Sequence, residues 1–104
     1  MSAIMVVYMN IHDTAWIESY YAEVPKLLAE YGAMSIAGAR GDIVSVEGKL
    51  VPPDRIAIIT FPSIDAVDRF MADERYQAHR RFRESGAASE IFVFENSVTG
   101  GELV

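Results

Sequence analysis

The strands of this chain are apolar on both faces, and that constrains the fold more than any other feature. Successive strand residues point to opposite sides of a sheet. In residues 55–61, Ala57, Ile59 and Phe61 therefore face one way while Ile56 and Ile58 face the other. Residues 91–94 repeat the arrangement, with Ile91 and Val93 opposing Phe92 and Phe94, and in residues 3–9 Ile4, Val6 and Tyr8 oppose Met5, Val7 and Met9. An antiparallel sheet with one wet face alternates apolar and polar residues. These strands need a cover on each side.

The segments between the strands supply only part of that cover. Trp16, Ile17, Tyr20, Tyr21, Val24, Leu27, Leu28 and Tyr31 recur at helical spacing, with Glu18, Glu23, Lys26 and Glu30 largely off the stripe. Asp13 or Thr14 is expected to cap the start of this helix and Gly32 to end it, while Pro25 predicts a kink near Val24. Residues 34–46 read as a strand interrupted by a bulge or bend at Gly38 and Gly41 and resumed by Ile43, Val44 and Val46. A turn at Glu47-Gly48-Lys49 and a loop at Pro52-Pro53 lead into the strand at 55–61. Ser63 is expected to cap a second helix whose apolar face is Val67, Phe70 and Met71. A further helical stretch over 75–83 carries Tyr76, His79 and Phe82, and Gly86 stops it before the last strand.

The resulting order, β-α-β-β-α-β, is the ferredoxin-like arrangement of the α+β class: a four-stranded antiparallel sheet with helices on one face. The opposite face would expose an apolar patch larger than soluble monomers tolerate. The expectation is a homodimer closed sheet against sheet, a dimeric α+β barrel. A third helix or the chain end lying over that face is the competing arrangement. Residues 1–96 are read as one domain and 97–104 as a tail.

Composition removes several function classes. Nine Lys and Arg against fifteen Asp and Glu give a net charge of −6, which speaks against nucleic acid and anionic membrane as partners. The absence of Cys excludes disulfides, a thiolate nucleophile and Cys-ligated zinc, and two His disfavour a His-based metal site. The apolar run at 3–9 follows no basic segment and is too short to span a bilayer, so it reads as a strand rather than a signal. A cytoplasmic protein is expected. Phosphate-binding glycine loops, nucleophile elbows and H-E-x-x-H are absent from the sequence.

A few residues carry candidate chemistry. His12, beside Asp13 at the end of the first strand, is a candidate general base, with an exposed turn histidine as the plain alternative. Arg40 and Arg55 would clamp a carboxylate or phosphate if both project between sheet and helices; the alternative is internal pairing with Glu47, Glu90 or Glu95. Tyr20 and Tyr21, with Trp16, either line a small-molecule pocket or fill the core. Arg75, Arg80, Arg81 and Arg83 form a local basic stretch, read first as a solvated helix face paired with Asp68, Asp73, Glu74 and Glu84. Tyr76 and His79 share a face of that helix, which makes His79 a second candidate acid or base and Tyr76 a candidate substrate contact.

The run Tyr31-Gly32, Val46-Glu47-Gly48, Pro53-x-Arg55, Ile59-x-Phe61-Pro62-Ser63, Tyr76-Gln77 and Arg83 resembles the DUF1330 family, small bacterial proteins of the dimeric α+β barrel superfamily. The likeness extends over residues 8–95. Where that family often has Gly-Gly after the first helix and Arg-Gly-Gly in the second strand, this chain has Gly32-Ala33 and Gly38-Ala39-Arg40-Gly41. Phe70 stands where the family commonly has Trp. The resemblance implies a ferredoxin-like fold and a barrel-forming dimer, but no particular reaction. The wider superfamily includes cofactor-free monooxygenases, muconolactone-type isomerases, chlorite dismutase-like haem enzymes and ligand-sensing domains. The functional expectation is an enzyme of isomerase or monooxygenase type that needs no cofactor and acts on a small organic acid or aromatic molecule. The alternative is a non-catalytic homodimer that binds or senses such a molecule.

Overall fold

The computed structural model describes residues 2–104. Its elements run β1 (Ala3–Ile11), α1 (Ile17–Glu30), β2 (Met34–Ala39), β3 (Arg55–Phe61), α2 (Ile64–Ala72), α3 (Glu74–Glu84) and β4 (Ala87–Glu95). The four strands form one antiparallel sheet in the order β2-β3-β1-β4, the ferredoxin-like topology. Among the described residues no helix is long and apolar enough to cross a membrane.

Register decides which side chains meet the helices. Met5, Val7 and Met9 of β1 lie opposite Ile59, Ala57 and Arg55 of β3, and opposite Val93, Ile91 and Ser89 of β4. Met5, Val7 and Met9 are buried and form one core with Trp16, Val24, Leu27, Phe61, Val67, Phe70 and Tyr76. The other face carries Ile4, Val6 and Tyr8 between Ile56 and Ile58 on one side and Phe92 and Phe94 on the other. Here Tyr8 is 41% exposed, Phe92 57% and Phe94 49%. The molecule is only 17 Å across its thinnest axis, the depth of one sheet and one helical layer. The sheet is thus apolar on both faces, as its strands dictate, and covered by helices on one.

Local chemistry explains where several elements begin. The Ser63 hydroxyl accepts from the Ala66 N–H at 3.1 Å and caps α2. Asp73 separates α2 from α3 and caps the latter, accepting from the Arg75 N–H at 2.8 Å. The start of α1 differs from the expectation. Asp13 accepts from the Ala15 N–H in a turn, and the helix begins at Ile17 with no side-chain cap. The reason is Trp16, whose fully buried indole fixes the approach of the chain. Pro25 lies inside α1, which is continuous from Ile17 to Glu30.

The second strand also departs from its reading. The bulge falls between Ser35 and Ala37, and pairing ends at Ala39 rather than resuming at Ile43. Gly41 at φ +135° and Asp42 at φ +55° turn the backbone out of the ladder. Residues 40–54 therefore form an irregular connection in which Val44, Val46, Leu50 and Val51 are exposed. After β4, the Asn96 N–H donates to the Ser2 carbonyl, and residues 97–104 contain no helix or strand.

Candidate functional site

Two cavities lie between the sheet and its helices. The first, about 570 Å³, sits beneath α1. Val7, Ala57 and Ile59 of the sheet and Val24 and Leu28 of the helix give it apolar walls, and Tyr20, Tyr21, Arg40 and Arg55 supply its polar groups. Arg55 is there because it opens β3 on the side shared by Ala57 and Ile59, opposite buried Met9. Arg40 follows the last residue of β2, two positions beyond Gly38, which lies opposite Ala57. A side chain at Gly38 would come within 2.9 Å of the Ile56 carbonyl oxygen, so glycine permits this close strand approach.

The two guanidinium groups converge on one ring. The central carbons of Arg40 and Arg55 each lie 5.3 Å from the centroid of Tyr21. Arg55 Nη1 also donates to the Tyr21 hydroxyl at 2.5 Å. Among the described residues neither arginine forms an ion pair, so the alternative of internal neutralisation by Glu47, Glu90 or Glu95 does not hold. An aromatic face favours each cation by about 0.5–1 kcal/mol, but does not neutralise it. Two guanidinium groups without an ion-pair partner thus stand at the wall of an apolar cavity.

Tyr20 joins this cavity to a buried polar cluster. Arg83, only 3% exposed, donates from Nη1 to the hydroxyls of Tyr20 and Tyr76 at 2.9 Å each. Burial, then the neighbouring Tyr76, pushes the Tyr20 hydroxyl well above the usual phenol range. Tyr20 therefore keeps its proton at neutral pH and stays uncharged beside Arg83. The second cavity, about 810 Å³, opens on the other side of this cluster, between α2, α3 and β4.

The remaining candidates stand apart from the arginine pair. His12 is exposed in the turn after β1, and its backbone N–H donates to the Gly86 carbonyl at 2.9 Å. Its side chain lines neither of the two cavities. His79 is half-buried, edge-on to Tyr20 with ring centroids 6.2 Å apart, and also lines neither. Tyr76 is 2% exposed and reaches the site through Arg83. Among the described residues no group of three or more His, Cys, Asp or Glu is gathered to hold a metal ion.

Arg83 is the residue that sequence reasoning misplaced. It is buried rather than solvated, whereas Arg75 pairs with Asp73 and Glu30, and Arg80 with Glu84. The available signal was the spacing of Tyr76, His79 and Arg83, three and then four residues apart on one helix face.

The architecture is shared with known structures of low sequence identity. SnoaB from Streptomyces nogalater, described as a cofactor-independent oxygenase, is 17% identical, with a TM-score of 0.66 over 97% of this chain and 98% of that one. RPA0582 from Rhodopseudomonas palustris, of unknown function, is 13% identical, with a TM-score of 0.76 over 94% of this chain and 84% of that one. An uncharacterized NIPSNAP domain protein from Burkholderia xenovorans is 14% identical, with a TM-score of 0.63 over 98% and 100% of the two chains. At these identities the likeness is one of fold. No curated protein matches the sequence. The model of a domain of unknown function, DUF1330, matches residues 2–97, and the chain belongs to that family.

Proposed function

We propose that this protein is a sheet-to-sheet homodimer that binds a small organic acid with an aromatic or apolar body in the cavity beneath α1. The observation that carries the ligand reading is the convergence of Arg40 and Arg55 on Tyr21 with no protein carboxylate on either guanidinium. The apolar walls would hold the body of the ligand, and the arginines its carboxylate. The dimer reading is supported by the exposed aromatics Tyr8, Phe92 and Phe94 on the helix-free face. Burying a side chain of that size contributes about 1.5–3 kcal/mol. Residues 1–96 would act as one domain and 97–104 as a tail, and the proposed setting is the cytoplasm, in keeping with the cysteine-free sequence.

Turnover of that ligand without a cofactor, as an oxygenase or isomerase, is the second reading. It is supported by the fold shared with SnoaB and by Tyr20, a protonated hydroxyl on the cavity wall with His79 beside its ring. In this reading His79 or His12 carries the proton. Binding without turnover is favoured by both histidines lying off the cavity wall.

A thermal-shift screen of aromatic and aliphatic carboxylates against their amides tests the ligand reading. A carboxylate at a hundred times its Kd stabilises the native state by about 2.7 kcal/mol. The expected result is stabilisation by acids, not amides, that disappears in the Arg40→Met/Arg55→Met double variant. Stabilisation unchanged in that variant would sink the assignment. Loss of turnover in His79→Ala or His12→Ala, with binding retained, separates the catalytic reading from the binding one.

A further inference from the structure

We propose that the cavity between α2, α3 and β4 is a second binding site, for a small organic carboxylate that pairs with Arg83 and Ser89. This inference does not rest on Arg40, Arg55 or the cavity beneath α1.

Arg83 is the one buried charged side chain among the described residues. It forms no ion pair there, and its hydrogen bonds go from Nη1 to two neutral phenols. Its Nε is buried without a partner, and so is the Ser89 hydroxyl oxygen. Both residues line the same cavity of about 810 Å³. A buried guanidinium without an anion is costly, and a buried donor without an acceptor adds to that cost. A carboxylate supplies both missing features, since it brings the counter-charge and accepts from Nε–H and from the serine hydroxyl.

The rest of the lining sets the ligand's character. Met5, Val67, Met71 and Ile91 provide an apolar wall suited to an alkyl or aryl body. The other charged groups on the lining are Arg80, Glu84 and Asp68. Arg80 Nε holds Glu84 at 2.8 Å, so this pair is internally balanced. Asp68 is exposed, and its charge disfavours a carboxylate placed close to it.

The test is a nuclear magnetic resonance titration of the full chain with acetate, hexanoate, benzoate and phenylacetate, each against its amide. The reporters are the Arg83 Nε–H and the methyl groups of Val67 and Ile91. Concentrations up to about 10 mM fill even a millimolar site. At least one acid is expected to shift the Arg83 Nε–H and both methyl reporters, while its amide leaves them in place. Ser89→Ala should weaken that acid's binding about two- to tenfold, the effect of one hydrogen bond. Arg83→Lys keeps the charge but loses the Nε donor, and should weaken it at least as much. Arg40→Met/Arg55→Met should leave it unchanged, which separates this site from the one beneath α1. The proposal is overturned if no acid moves the Arg83 Nε–H, as an internal water on that nitrogen would dictate. Equal shifts from the amide, or an affinity untouched by Ser89→Ala, would overturn it as well. The wild-type shifts and Ser89→Ala keep the test intact if Arg83→Lys fails to fold.

Discussion

Gly86 packs directly against the indole of Trp16: a β-carbon at position 86 would lie 2.6 Å from Cδ1 and 2.9 Å from Nε1. The same position would bring it within 2.5 Å of the Asp13 carbonyl oxygen. Gly86 also accepts, through its own carbonyl, from the backbone N–H groups of His12 and Asp13. The junction between α3 and β4 is thereby locked to the junction between β1 and α1. Gly86→Ala must push the indole or this backbone contact apart. Overpacking of this kind costs about 1–3 kcal/mol. A fall in the urea midpoint with an unchanged denaturant slope is the expected result. An unaltered midpoint would mean that the contact relaxes freely.

The Arg83 cluster predicts non-additive stability effects. Tyr20→Phe and Tyr76→Phe each remove one of two acceptors on the same guanidinium nitrogen. A hydrogen bond to a charged group contributes about 1.5–3 kcal/mol, and each single variant should lose an amount in that range. The double variant leaves the buried guanidinium with no protein acceptor. Its loss should therefore exceed the sum of the singles in a double-mutant cycle. Simple additivity would show that water replaces the phenols at no cost.

Asp73 makes stability depend on acid. Its carboxylate accepts from the Arg75 guanidinium and backbone N–H and from the Tyr31 hydroxyl at 2.6 Å. The Arg75 side-chain bonds first, then the bond from Tyr31, hold the carboxyl well below the usual carboxylate range. A lowered folded-state pKa means the unfolded chain takes up the proton first as pH falls. The contribution is complete above the unfolded value of about 3.9 and is lost as pH drops through the lower folded value. Asp73→Asn should be less stable than wild type at neutral pH, and the gap should narrow below about pH 4. Urea titrations of both proteins across that range measure it. A gap independent of pH would contradict the assignment.

The two-faced apolar pattern of Ile56, Ile58, Ala57 and Ile59 made the sheet legible in the sequence, because strand periodicity is a local property. Ser63 was legible as a cap for the same reason. The start of α1 was not, since Asp13 and Thr14 satisfy a local capping rule that burial of Trp16 against Gly86 overrides. The end of β2 was misread because Ile43, Val44 and Val46 have strand propensity, yet Gly41 and Asp42 had already turned the chain away. At the site, Arg40 and Arg55 could be named from their strand positions, but their meeting over Tyr21 depends on helix placement. Arg83 was hidden among the neighbouring arginines, and only its spacing from Tyr76 and His79 on one helix face set it apart from them.

Phe92 tests the oligomer. It lies on the helix-free face opposite Val6, with its ring 6.2 Å from that of Tyr8, and is 57% exposed in the single chain. Phe92→Lys therefore removes little from the core of one subunit, while it places an ammonium in the middle of a sheet-to-sheet interface. An unpaired charge buried there costs several kcal/mol, enough to dissociate a dimer of ordinary affinity. Sedimentation velocity should give a dimer for wild type and a monomer for Phe92→Lys, with the same far-ultraviolet circular dichroism. Phe82→Lys is the control, since Phe82 is comparably exposed at 42% but sits on α3, in the helical layer. It should remain dimeric, because an interface formed by the sheet face does not reach it. A monomeric wild type, or a dimer lost equally in Phe82→Lys, would move the interface away from the sheet. The apolar outer row of β1, β3 and β4 would then need another cover, and the connection over residues 40–54, with Val44, Val46, Leu50 and Val51 exposed, would be the segment to examine next.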